Sequence, residues 1–74
     1  MNYFIGIDIG SAYSKGVLLK DSEIANYHVI PSGANYRAAA DAIKQHLLKQ
    51  AGLTLKNITG IVATGTGAGS VDFA

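Results

Sequence analysis

Tyr3 to Lys20 read YFIGIDIGSAYSKGVLLK, two apolar runs joined by a glycine- and serine-bearing bend. The first run, Tyr3 to Ile9, is rich in β-branched and aromatic residues and stays apolar until Asp8, which predicts a strand covered on both faces. Gly10, Ser11, Ala12, Tyr13 and Ser14 follow as turn-forming residues, and Lys15 to Lys20 is a second apolar strand closed by Asp21 and Ser22. Together they predict a hairpin.

Working outward, Glu23 to Ile30 places Ile24, Asn26, His28 and Ile30 on one side and Ala25, Tyr27 and Val29 on the other. That pattern predicts a third, antiparallel strand ended by Pro31. Ser32 to Asn35 is loop chemistry, with Ser32 or Asn35 available to cap a helix. Tyr36, Ala39, Ala40, Ile43, Leu47, Leu48 and Ala51 then recur at spacings of three and four. Arg37, Asp41, Lys44, Gln45 and Lys49 fall on the other side, and Gly52 closes the helix as a left-handed residue. After a connector from Leu53 to Asn57, Ile58 to Thr64 (ITGIVAT) predicts a fourth strand running into the glycine-rich Gly65 to Ser70.

The order β-β-β-α-β is that of an α/β fold: a mixed sheet with one helix on one face, and a strand–helix–strand crossover that makes the last strand parallel to a neighbour. The helix can cover only one face, yet the first and last strands look apolar on both. A second layer is therefore expected from another polypeptide segment or a second copy of the chain. On this reading residues 1–74 form a single, incomplete domain, and a homo-oligomer is the form expected of the isolated chain.

Composition narrows the functional classes. Across 74 residues, six Lys and Arg against five Asp and Glu give a net charge of +1, which lacks the basic footprint of a nucleic-acid partner. Zero cysteines exclude disulfides, a thiol nucleophile and iron–sulfur ligation by this chain, and suit a cytoplasmic location. No apolar run is long enough for a membrane span and no signal-peptide layout opens the chain, so no membrane partner is expected. His28 and His46 read as two separated imidazoles with structural roles, and Asn57-Ile58-Thr59 fits the glycosylation pattern by chance.

The residues with chemistry lie around the first bend. Asp8 is a carboxylate at the exit of an apolar strand, where a buried, unpartnered charge would be costly; a hard cation such as Mg2+ is its natural partner. Gly10, Ser11, Ala12, Ser14 and Lys15 add close backbone approach, hydroxyl donors and a cationic point charge, the makings of a phosphate cradle. A plainer reading has Asp8 pair with Lys15 or cap the turn amides, with the glycine and serines serving only the turn. There is no G-x-x-x-x-G-K-[ST], which speaks against a P-loop NTPase.

The opening GIDIGSAYSKGVLL resembles the first phosphate motif of the sugar kinase, Hsp70 and actin superfamily of ATPases. More narrowly, Ile5 to Leu19 together with Ile61-Val62-Ala63-Thr64-Gly65 resembles the ATP-dependent activators of 2-hydroxyacyl-CoA dehydratases and related benzoyl-CoA reductase ATPase subunits. Those proteins carry a GIDIGS-x-x-SK opening and an ATG-x-G segment after the first helix. The resemblance implies a partial ribonuclease H-like (actin-like ATPase) subdomain from the N-terminal part of a longer protein. It implies ATP and Mg2+ as ligands, Asp8 helping to hold the magnesium, Gly10 and Ser11 at the phosphates, and Ser14 and Lys15 completing the turn. It also implies the remainder of the ATPase domain and an acyl-CoA dehydratase or reductase as partners. The family's iron–sulfur cluster has no cysteine ligand in this chain, so the intact protein is the expected ATPase and the 74-residue chain alone is expected to be inactive. Thr66 and Ala68 stand where the activators place an aromatic and then a basic residue. A sugar or small-molecule kinase of the same superfamily, or a non-enzymatic α/β module associating through its uncovered sheet face, are the competing readings.

Overall fold

The computed structural model describes residues 2–65, and of the expected glycine-rich loop from Gly65 to Ser70 all but Gly65 lies outside them. Strand β1 spans Tyr3–Ile9, β2 Tyr13–Lys20, β3 Glu23–Pro31 and β4 Ile58–Thr64; helix α1 spans Tyr36–Ala51, and a short 3-10 turn, Leu55–Asn57, sits in the connector. The sheet order is β3-β2-β1-β4, with β1–β2 and β2–β3 antiparallel and β1–β4 parallel. This is the mixed α/β sheet that the element order predicts.

Period-two alternation decides which side chains meet the helix. Ile5, Ile7 and Ile9 of β1 and Leu18 of β2 point to one face and pack with Ala40, Ile43, Leu47 and Leu48 of α1. The helix follows its apolar stripe with two departures. Lys44, expected on the solvent side, is 8% exposed, its stem lying along apolar surface while its ammonium reaches Asp41 at 3.1 Å; Ala51, expected on the stripe, is exposed. Asn35 is the N-cap, accepting from the Ala38 N–H at 3.1 Å, and Gly52 closes the helix at φ 70°.

The outer strand β3 meets α1 through polar groups as well as through Ile30, which packs against the apolar cluster. His28 and His46 stack with ring centroids 3.6 Å apart, and Asn26 Nδ2 donates to Gln50 Oε1 at 2.7 Å. The two imidazoles expected to be separate are thus neighbours. Residues of β3 facing the sheet's far side remain in the open, Tyr27 at 66% and Val29 at 47% exposure. Among the described residues nothing covers that second face.

The hairpin bend is shorter than the residue types suggest. Tyr13 belongs to β2 because β3 runs alongside far enough to pair it with Pro31, and Ser14 pairs both with Ile30 of β3 and with Ile9 of β1. Only Gly10, Ser11 and Ala12 separate β1 from β2.

Candidate functional site

Asp8 sits one residue from the end of β1 on the uncovered face. Its Cα partners are Lys15 across the antiparallel β1–β2 pair and Thr64 across the parallel β1–β4 pair. All three line a depression of about 260 Å³ whose other walls include Gly6, Val17 and Val62. A second hollow, of about 340 Å³, lies by the C-terminal end of α1 with Lys49 its sole charged group, and holds none of the candidate residues. The carboxylate and the ammonium share a face because they are cross-strand neighbours. Among the described residues neither forms an ion pair or side-chain hydrogen bond. The plainer reading, in which Asp8 is used up by Lys15 or by the turn amides, therefore finds no support in these contacts.

The bend itself offers backbone donors. Gly10 N–H donates to the Tyr13 carbonyl at 3.0 Å and closes the hairpin. A Cβ on Gly10 would stand 2.5 Å from that oxygen, so the close approach of the two strands needs a glycine there. Ser11 and Ala12 are exposed, and their amides have no acceptor among the described residues. Consecutive free N–H groups in a turn form a concave, electropositive spot suited to an anion.

Ser14 goes elsewhere. As the neighbour of Lys15 it points to the opposite face, where it is fully buried and its hydroxyl lies 2.6 Å from that of Ser32. The candidate set thus divides into Asp8 and Lys15 on the open face, Ser11 and Ala12 at the tip, and Gly10 and Ser14 in the scaffold beneath. Two site residues escape a reading of the bend alone. Thr64 joins through the parallel register with β1, which brings the C-terminal ends of both strands to one edge, the usual place for a ligand in an α/β sheet. Gly65, at φ 93°, lets the chain turn beside Asp8: a Cβ there would lie 2.5 Å from Asp8 Oδ1 and 2.6 Å from the Ile9 carbonyl. The signals available in the sequence were a glycine directly after a strand and the place of Thr64 and Gly65 in the Ile61 to Gly65 segment that carries the family resemblance.

The donor set fits a phosphate-bound hard cation. One carboxylate can hold Mg2+ when phosphate oxygens and water supply the remaining ligands. It does not fit an iron–sulfur cluster, since the chain has no cysteine. Among the described residues no group of three or more His, Asp or Glu forms a metal site without help from a ligand. No helix among them is long and apolar enough to cross a membrane.

No protein-family model and no curated protein sequence matches the chain. Solved structures do. The activator of the 2-hydroxyisocaproyl-CoA dehydratase from Clostridium difficile, solved with bound ADPNP, is 32% identical with a TM-score of 0.85 over 97% of this chain and 27% of that one. Component A of the Acidaminococcus fermentans (R)-2-hydroxyglutaryl-CoA dehydratase is 28% identical with a TM-score of 0.82, over 97% of this chain and 29% of that one. YeaZ from Pseudomonas aeruginosa, at 18% identity and a TM-score of 0.71, shares the fold alone. The chain spans under a third of the length of either dehydratase protein. Its mixed four-stranded sheet with one helix is the fold of an actin-like ATPase fragment, and its structural neighbours are dehydratase activators of that class.

Proposed function

We propose that the β1–β2 hairpin receives the phosphates of ATP and their magnesium ion, as the N-terminal portion of an ATPase that activates a CoA-ester dehydratase or reductase. The observation that carries this reading is the Asp8 carboxylate, unpaired among the described residues, facing Lys15 and Thr64 beside the free amides of the bend. The likeness to an activator solved with an ATP analogue supports it.

Each group has a task that needs no covalent chemistry. The Ser11 and Ala12 amides donate to phosphate oxygens, and the Lys15 ammonium lies against their charge. Asp8 supplies an anionic ligand, directly or through water, for the cation. Magnesium, when bound, offsets the negative charge that accumulates on the phosphates. In phosphoryl transfer such preorganised charges act where charge develops, and binding them in a fixed place is the protein's main contribution. The remaining parts of the nucleotide site, and the layer over the open face, belong on this reading to the remainder of a longer chain, consistent with the fraction of the activators that is matched.

The test is Asp8→Ala in the full-length protein. Loss of ATPase activity and of magnesium-dependent ATP binding, with an unchanged circular dichroism spectrum, is the expected outcome. Wild-type turnover in that variant removes Asp8 from the mechanism.

A further inference from the structure

Ser32 is a buried polar residue at the bend that the phosphate reading leaves unused. It lies in the β3–α1 connection, four residues ahead of the helix, and is 4% exposed. Its hydroxyl donates to the Gly10 carbonyl at 2.6 Å, and its backbone N–H donates to the Ala12 carbonyl at 2.9 Å. One residue therefore holds two carbonyls of a three-residue bend.

The Ser14 hydroxyl completes the arrangement, 2.6 Å from Ser32 Oγ. A serine hydroxyl has one proton. Since that of Ser32 goes to Gly10, Ser14 is the donor in the pair and fixes the Ser32 rotor. Gly10 N–H donates to the Tyr13 carbonyl, but the return bond from Tyr13 N–H to the Gly10 carbonyl is absent among the described residues; the Ser32 hydroxyl occupies that carbonyl instead.

The consequence follows from peptide geometry. In a trans peptide the C=O and the next N–H point in opposite directions, and no peptide bond among the described residues is cis. Drawing the Gly10 carbonyl toward Ser32 turns the Ser11 N–H away from it. Drawing the Ala12 carbonyl the same way turns the Tyr13 N–H away too.

We propose that Ser32 is a positioning residue of the anion-receiving bend: its hydroxyl, oriented by Ser14, fixes the peptide planes so that amide donors face a bound oligophosphate. The proposal rests on the phosphate reading of the bend. It also gives Ser14 a role in that site without contact to the ligand.

The test compares Ser32→Ala, Ser32→Thr and Ile43→Val in the full-length protein. Mg-ATP affinity is measured by calorimetry, and the Ser11 and Tyr13 amide resonances are followed by NMR. Ser32→Ala is expected to weaken Mg-ATP binding about tenfold, the order of effect of one misplaced hydrogen-bond donor, and to reduce the ATP-induced shift at Ser11. Ser32→Thr keeps the hydroxyl and should retain the affinity. Ile43→Val trims the core beneath the sheet and should lower the melting temperature without changing affinity, which separates positioning from stability. Ser32→Cys keeps the volume with a weaker donor and carries the same comparison if the alanine variant does not fold. Wild-type affinity in Ser32→Ala, or in Ser32→Cys in its place, overturns the positioning role and leaves the phosphate reading standing. A wild-type protein that does not respond to Mg-ATP removes the phosphate reading, and the positioning role with it.

Discussion

From β1, Ile5, Ile7 and Ile9 point to the helix while Phe4, Gly6 and Asp8 point the other way, and the two sets meet different surroundings. On the helix side the three isoleucines are at most 2% exposed and join one apolar cluster with Leu18, Ile43 and Leu47. On the other side Phe4 is 36% exposed and Val62 69% exposed, and Asp8 and Lys15 look out beside them. Stability therefore resides mainly on one face and the candidate chemistry on the other. The separation has a physical basis: apolar area removed from water stabilises wherever it is placed, whereas a carboxylate keeps its charge cheaply only where water or a ligand can reach it.

The largest expected effect is on the covered face. Leu47→Ala removes a fully buried side chain from the cluster and should cost about 2–5 kcal/mol in urea denaturation. A loss under about 1 kcal/mol would mean that α1 does not supply the main core.

Next come two left-handed glycines, one closing α1 and one beside Asp8, which differ in what surrounds them. Gly52 has open space at its Cβ position, whereas at Gly65 the same atom would meet Asp8 Oδ1 at 2.5 Å and the Ile9 carbonyl at 2.6 Å. Gly52→Ala should cost about 1 kcal/mol from backbone strain and leave Mg-ATP affinity unchanged. Gly65→Ala should cost more, about 1–3 kcal/mol, and should also weaken Mg-ATP binding because Asp8 must move. Equal effects from both substitutions in denaturation and calorimetry would detach Gly65 from the site.

The smallest effect belongs to the open face. Val62→Ala should change stability by no more than about 0.5 kcal/mol, since Val62 loses little burial. A cost near that of Leu47→Ala would show that a second layer covers this face in solution, and its dependence on protein concentration would tell a second copy from a segment of the same chain.

Much of this was legible in the residues. The helix could be read to its ends because its stripe, its Asn35 cap and its closing Gly52 all act within a few residues of one another. β1 and β4 were equally plain, as runs bounded by glycine and polar turns. The boundary of β2 was not, since Tyr13 follows a run of turn-forming residues and enters the strand through pairing with Pro31 of β3, far along the chain. Likewise Ser32 read as one of two candidate helix caps, with Asn35, yet its partners, Gly10 and Ser14, lie 22 and 18 residues away.

The sequence by itself determined the elements, the β-β-β-α-β order and the residue types at the bend, because strand and helix periodicity and turn chemistry are local properties of the chain. Only the tertiary structure decided that Asp8, Lys15 and Thr64 share one open face, that Ser14 turns inward to Ser32, and that His28 meets His46. Those outcomes depend on strand register and on which face the helix covers, and a shift of one residue in register would have sent each side chain to the other side of the sheet.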